Sequence, residues 1–215
     1  MDGIPRPDAI IDRKRALTVA ILAGGESRRL GQDKTRVIFS GKPLAARVAG
    51  RFLDIAQEVI IITSEPGKIL FPGFTTYQDL IPGKGALGGL YTALHEAGRP
   101  FVAVLACDMP YASPSLVCTE MDVLARTGKD VAVPTGPSGL EPLHAVYRRK
   151  TCLHAVEGAL ERGERRIVSF FPGLSVYVMD QAETALHDPG NRAFVNINTP
   201  ADLRQAEALE AVEEG

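Results

Sequence analysis

Between Leu22 and Lys34 the chain reads Leu-Ala-Gly-Gly-Glu-Ser-Arg-Arg-Leu-Gly-Gln-Asp-Lys, directly after an apolar run that starts at Leu17. Glycines let successive backbone N–H groups turn toward one point, and arginine and lysine add positive charge there, which is how a polyphosphate is held. Leu22, Ala23, Gly24, Gly25 and Gly31 supply the backbone of this candidate loop, and Arg28, Arg29, Lys34 and Arg36 its cations. The spacing excludes two common phosphate loops. Gly24-Gly25 is followed by Gly31 with the lysine three residues beyond, which matches neither G-x-x-x-x-G-K-[ST] nor G-x-G-x-x-G. A Gly-Gly pair alone more often just turns a strand into a loop. Four cations so close together, in a chain of formal net charge −2, favour phosphate binding instead.

Asp108 stands just past a second apolar run, Phe101 to Ala106. A carboxylate there either caps the turn at Pro110 or holds a divalent cation. Beside a polyphosphate loop the cation is the stronger reading, because Mg²⁺ takes one or two carboxylates plus substrate phosphates and keeps several waters. Asp79 precedes Ile81-Pro82-Gly83, where starting a turn is the plain role. Gly83, Gly85, Gly88 and Gly89 permit close backbone approach, to a ligand or across a helix packing contact. Arg165 and Arg166 are either a solvated helix end or a guanidinium pair gripping an acceptor phosphate. Asn196 and Asn198 alternate along a short extended segment and so face the same way; turn formation is the alternative. His95, His154 and His187 accompany no strand–elbow serine and no H-E-x-x-H pattern, which sets hydrolase schemes aside and leaves them as structural or surface residues, His187 in a loop.

The segment Leu22 to Lys34 resembles the nucleotide loop of nucleotidyltransferases that share L-A-G-G-x-S-x-R-[ML]-G-x-D-K, and most closely that of the molybdenum cofactor guanylyltransferases, the MobA-like family. Asp79 to Gly89, Cys107-Asp108-Met109-Pro110, Gly163-Glu164-Arg165-Arg166 and Phe194 to Pro200 match in the same order. The resemblance covers about Leu17 to Leu209. It implies a Mg²⁺-dependent transfer of GMP from GTP to the terminal phosphate of molybdopterin or molybdenum-molybdopterin, with pyrophosphate leaving. On that reading Lys34, Asp108 and Arg29 are catalytic and Asp108 is the metal ligand. The nucleotide lies on Leu22, Ala23, Gly24, Gly25, Arg28, Gly31, Lys34, Asp79, Gly85 and Asp108, and the acceptor on Arg165, Arg166, Asn196 and Asn198. Transient contacts with other cofactor-biosynthesis proteins or apo-molybdoenzymes are implied as well. The family asparagine after the second strand has no counterpart in Ile61-Ile62-Thr63-Ser64-Glu65, so Thr63, Ser64 and Glu65 are the candidate base readers. Glu141-Pro142-Leu143-His144 departs from relatives that place histidine before the proline. A CTP-dependent molybdopterin cytidylyltransferase, or another transferase of the same fold, is the nearest alternative. A non-catalytic nucleotide-binding protein is a further one, against which the presence of both Lys34 and Asp108 argues.

A chain of 215 residues, 45% hydrophobic and 23% charged, suits one sizeable α/β domain. Its near-neutral charge points to small-molecule or protein partners and away from nucleic acid. Cys107, Cys118 and Cys152 form no C-x-x-C pair, which suggests a reduced, cytoplasmic setting. Residues 1–16 contain Pro5, Pro7 and Arg13-Lys14-Arg15 without an apolar core and read as a flexible tail; residues 17–215 form the expected transferase domain. No segment reaches the length of a membrane span.

These residues have to be positioned by a sheet. Strands are expected near Leu17–Leu22, Glu58–Thr63, Thr75–Gln78, Phe101–Ala106, Asp130–Val133, Leu143–Tyr147 and Ser175–Val178. Helices are expected over Pro43–Asp54, Leu87–Ala97, Ser113–Arg126, Arg149–Arg162 and Pro200–Glu213. This alternation predicts an α/β fold, a three-layer α/β/α sandwich with a Rossmann-like, mostly parallel sheet; the resemblance makes it the nucleotide-diphospho-sugar transferase type. Ligands of such sheets bind outside the carboxyl ends of the strands, where each motif above begins.

Overall fold

The computed structural model describes residues 13–24, 37–64 and 71–213. Strands β1 (Leu17–Leu22) and β6 (Phe101–Ala106) are buried at every position, as parallel strands covered on both faces are. Flanking them are β4 (Glu58–Thr63), β5 (Thr75–Gln78), β7 (Val131–Gly136), β8 (Gly139–Leu140), β9 (His144–Arg148) and β10 (Val176–Met179). The sheet runs in the order β10-β7-β9-β6-β1-β4-β5, with β8 on β7. Among the described residues of this sheet only β8 and β9 run against their neighbours, and its other pairings are parallel.

The helices are α1 (Arg13–Ala16), α2 (Leu44–Gly50), α3 (Gly85–Glu96), α4 (Pro114–Thr127), α5 (Arg149–Glu161), α6 (Gln181–His187) and α7 (Pro200–Glu213). Side chains alternate across a strand, so β1 divides its residues between two layers. Val19 and Ile21 pack with Val48 and Phe52 from α2 and its C-terminal turn and with Val117 and Met121 of α4. Ala20 and Leu22 pack with Leu87 and Leu90 of α3 and Val156 and Leu160 of α5. Burying one such large side chain contributes roughly 1.5–3 kcal/mol, enough over two layers to hold helices whose own propensity is modest. This is the expected three-layer, mostly parallel arrangement.

Side chains cap the starts of α4 and α7. The Ser113 hydroxyl accepts from the Leu116 N–H at 3.2 Å ahead of Pro114. At α7, Thr199 Oγ1 accepts from the Asp202 N–H, while Asp202 Oδ2 accepts from the N–H groups of Thr199 and Asn198 at 2.8 and 2.9 Å. Those bonds, led by the one from Asn198, hold the Asp202 carboxyl below the usual aspartate range.

Three expectations are corrected. The helix from Pro43 ends at Gly50 and not near Asp54, because Arg51, Phe52 and Ile55 donate to the third residue back, tightening the chain into turns. Pro43 itself closes a two-residue hairpin, β2 (Ile38–Phe39) with β3 (Lys42–Pro43), around Ser40 and Gly41, both with positive φ. His187 is the last residue of α6 and not part of a loop. That helix buries only Thr184, so apolar periodicity does not announce it; the legible signal is Asp180, whose carboxylate accepts from the Glu183 N–H at 2.8 Å. Of the expected tail, residues 1–12 lie outside the described residues, and Arg13–Ala16 make one helical turn leading into β1. Among the described residues no helix is long and apolar enough to cross a membrane.

Candidate active site

From β1 the chain goes outward to β4 and β5 and then returns to β6 on the opposite side of β1. This reversal opens a crevice at the carboxyl ends of β1 and β6. The strand ends are bonded to one another there. The Cys107 N–H donates to the Leu22 carbonyl at 3.1 Å, the Ala23 N–H to the Ile62 carbonyl at 2.7 Å, and the Asp79 N–H to the Thr63 carbonyl at 2.8 Å. Leu22, Ala23, Asp79 and Asp108 thus stand along one edge of the sheet. Gly24 is exposed, and a Cβ placed on it would lie 3.7 Å from the Ser64 nitrogen, so the ends of β1 and β4 adjoin. Gly25, Arg28, Arg29, Gly31 and Lys34 lie outside the described residues, as does Glu65.

Asp108 is 8% exposed, at the end of a strand with no polar residue. Its backbone carbonyl accepts from the Ile197 N–H at 2.8 Å. That bond lays the segment Asn196-Ile197-Asn198 against Asp108, with Ile197 buried beneath it. Asn196 Nδ2 donates to the Phe194 carbonyl at 2.9 Å, and the Asn198 backbone N–H is used in capping α7.

Asp79 starts the turn. Its Oδ1 accepts from the Ile81 N–H at 3.0 Å and lies 3.0 Å from the Thr92 hydroxyl, which in turn accepts from the Leu80 N–H. The loop after β5 is thereby pinned to α3. The glycines of this motif divide by use. A Cβ on Gly88 would come within 2.7 Å of the Ile81 carbonyl, and one on Gly89 within 3.2 Å of Leu22, so these two are needed for packing α3 against the loop and β1. Gly83 and Gly85 have φ of +82° and +62° and turn the chain into α3. Among the described residues no side chain caps that helix start, whose N–H groups and positive dipole end stand at the crevice.

Arg165 and Arg166 are exposed and follow α5 through a Schellman motif. The Glu164 N–H donates to the Ala159 carbonyl and the Gly163 N–H to the Leu160 carbonyl, at 3.1 and 3.0 Å, with Gly163 at φ +82°. The reversal brings the Arg165 carbonyl within 3.8 Å of a Cβ placed on Gly85. The arginine pair therefore borders the start of α3.

A separate cleft of about 220 Å³, lined by Arg51, Tyr111, Ser113, Asp188, Arg192 and Glu210, touches the other side of the loop after β6. It contains neither Asp108 nor Asp79. It is lined by acids as well as arginines, and Glu210 is paired with Arg47.

Motif reading misses one buried polar pair. His144 and Glu120 are both 0% exposed, with Nδ1 3.2 Å from Oε1. The Ser113 N–H donates to Nε2 at 3.0 Å. Their partners are 24 and 31 residues away in sequence, so no local spacing reveals them. Burial pushes the Glu120 carboxyl up from 4.5 to about 7, against the opposing pull of His144. Below pH 4.5 folded and unfolded chains both hold this proton. From 4.5 to about 7 only the folded chain holds it, so stability falls as pH rises, by an amount on the order of a few kcal/mol, and levels above about 7. Glu120→Gln is expected to remove that fall. Urea midpoints for both proteins at pH 5 and 8 check it; Glu141, which faces the same imidazole and is also raised by burial, contributes equally to both and cancels. Parallel profiles would remove Glu120 from the pH dependence.

Residues 19–176 match the MobA-like NTP transferase domain. The chain is 39% identical over 193 residues to a probable molybdenum cofactor guanylyltransferase of Pelotomaculum thermopropionicum, covering 89% of this chain and 92% of that protein. It is 32% identical to the molybdenum cofactor guanylyltransferase of Desulfosudis oleivorans, covering 90% and 95%. Among solved structures, the molybdopterin-guanine dinucleotide biosynthesis protein A of Archaeoglobus fulgidus superposes with a TM-score of 0.77 at 27% identity, over 90% of this chain and 98% of that one.

Proposed function

Because the chain belongs to the MobA-like NTP transferase family, we propose that it transfers GMP from GTP to the terminal phosphate of molybdopterin or molybdenum-molybdopterin. The products are the guanine dinucleotide cofactor and pyrophosphate. The observation that carries this reading is the edge on which β1, β5 and β6 end. Gly24, Asp79 and Asp108 stand there, and the Ile197–Asp108 bond adds Asn196 and Asn198. A nucleotide bridging β1 and β6 has its phosphates beside Asp108, with the acceptor side bounded by Arg165 and Arg166.

In the transfer an acceptor phosphate oxygen bonds to the α-phosphorus and the α–β bridging bond breaks, its electron pair leaving on pyrophosphate. The nucleophile and the triphosphate are both anionic, so positive charge must be in place beforehand. The backbone N–H groups of the loop from Leu22 to Gly31 hold the triphosphate, Lys34 neutralises its outer phosphates, and Arg28 and Arg29 add charge at its flank. Asp108 offers one hard oxygen donor at the rim of a phosphate site, the donor set that suits Mg²⁺. Mg²⁺ held by Asp108 would supply positive charge to the triphosphate and to the leaving pyrophosphate. Asp79 fixes the loop that bears Gly85, and Asn196, Asn198 and the arginine pair orient the acceptor. Three cysteines, two of them buried and none in a disulfide among the described residues, support a reduced cytoplasmic setting. Passing the product on implies transient contact with apo-molybdoenzymes or other proteins of cofactor synthesis.

The test is a turnover assay with molybdopterin, Mg²⁺ and either GTP or CTP, scored for pyrophosphate and dinucleotide. Product from GTP in preference to CTP is expected. Preference for CTP would make the protein a cytidylyltransferase, and nucleotide binding without product would make it a non-catalytic binder. Lys34→Ala is expected to weaken GTP far more than GMP in calorimetric titrations, since its partners are the β- and γ-phosphates. Equal losses for the two ligands would place this lysine elsewhere.

A further inference from the structure

Two consecutive residues at the start of β9 grip both ends of the loop that carries Asp108. The Leu143 carbonyl accepts from the N–H of Ala106, the last residue of β6, at 3.0 Å. The His144 imidazole accepts through Nε2 from the N–H of Ser113, the N-cap of α4, also at 3.0 Å. Residues 107–112 between these anchors are all buried. A backbone that deep has no water to replace a lost partner.

Since Nε2 accepts, the ring proton is on Nδ1, which faces Glu120 Oε1 at 3.2 Å. Ser113 and Glu120 lie two helical turns apart at the start of α4, so one helix fixes both nitrogens of the ring. The ring also meets Phe194 edge to face, with centroids 5.6 Å apart and planes at 75°. Phe194 ends the 3-10 turn Arg192–Phe194, two residues before Asn196, and the chain after it carries the Ile197 N–H that bonds to the Asp108 carbonyl. A single imidazole therefore touches the end of the Asp108 loop and the 3-10 turn that leads into Asn196 and Asn198.

We propose that His144 is a positioning residue for phosphoryl transfer. It sets the Asp108 carboxylate against Asn196 and Asn198, and Glu120 locks its ring in the Nδ1–H tautomer. It touches no reacting atom. The inference rests on the reading of Asp108 as the metal carboxylate. Stability alone does not account for the pair. Glu120 Oε2 is buried with no hydrogen-bond partner among the described residues, and apolar residues of similar volume at such sites are often neutral or stabilising. Orientation is what an apolar pair would not supply.

The experiment compares His144→Phe, His144→Gln and the double variant Glu120→Leu/His144→Phe with the parent. It measures kcat and the apparent KM for Mg²⁺ in the GMP-transfer assay, metal-free GTP affinity, and the thermal midpoint. Glutamine places an acceptor near the position of Nε2; phenylalanine does not. His144→Phe is expected to lower kcat and raise the Mg²⁺ KM, together by about 10- to 10²-fold, the scale of a misplacement of about 1 Å. GTP affinity should hold, and His144→Gln should recover most of the loss. If His144→Phe does not fold, the double variant takes its place: it buries no unpaired carboxylate and is expected to fold while showing the same catalytic defect. A folded variant with parental kcat and Mg²⁺ dependence, or glutamine as impaired as phenylalanine, overturns the proposal. Asp108→Asn run alongside separates the two layers of the argument. If it too is fully active, the reading of Asp108 fails; if it alone is impaired, only the role of His144 fails.

Discussion

Asp108→Asn is expected to lower turnover about 10²–10³-fold while leaving the fold and most of the GTP affinity in place; this is the scale of removing one preorganised electrostatic group. The amide preserves shape, and the backbone carbonyl that accepts from Ile197 is untouched, so the segment bearing Asn196 and Asn198 keeps its place. Only the charge is lost. A neutral oxygen is a much poorer partner for Mg²⁺, so charge accumulating on the departing pyrophosphate goes uncompensated. Binding is expected to suffer less, because Lys34, Arg28 and Arg29 are proposed to share the triphosphate. The measurement is kcat across a Mg²⁺ titration, with calorimetric GTP affinity and the thermal midpoint beside it. Near-normal turnover at limiting Mg²⁺ would take Asp108 out of the site.

Replacing Arg165 and Arg166 together with alanine is expected to raise the acceptor KM by about 10- to 10²-fold per guanidinium, the scale of a charge-assisted hydrogen bond of roughly 1.5–3 kcal/mol. Both side chains are exposed, so their loss should scarcely alter folding. The loop is set by its backbone, through the Schellman motif at Gly163 and the burial of Ile167 and Phe170 just beyond it. GTP affinity should therefore stay near parental, and added salt should reproduce part of the effect in the parent. Unchanged acceptor kinetics would make the pair a solvated chain segment. Joint loss of GTP and acceptor affinity would make it a folding determinant.

The Asp79 motif shows how function and packing share a sequence. Its turn, its threonine partner and its close-packed glycines are all used to seat α3, yet the result is an uncapped helix N-terminus at the crevice. Gly88 and Gly89 are required by contact distances to Ile81 and Leu22; Gly83 and Gly85 are required by dihedral angle. Sequence alone leaves these uses open, because a glycine looks the same whether it spares a steric clash, adopts a positive φ or admits a ligand.

Features that depend on near neighbours along the chain are legible in the amino-acid order. Four strands, Leu17–Leu22, Glu58–Thr63, Thr75–Gln78 and Phe101–Ala106, and the last helix, Pro200–Glu213, lie where expected, since apolar runs and capping residues act over a few positions. The mostly parallel sheet follows from the alternation of strands and helices, and with it the edge on which the motifs gather. The rest arises only once the layers pack. The antiparallel run of β9 between β6 and β7 depends on which strands meet, and no local pattern encodes that. The short helix α6 carries too little apolar surface to mark itself. Glu120 lies in the helix expected over Ser113–Arg126 and His144 in a motif legible only as a departure from relatives; they become a buried pair beneath the Asp108 loop only when β9 packs against α4. A hydrogen bond between residues tens of positions apart leaves no trace in spacing, because its geometry exists only after the layers have closed.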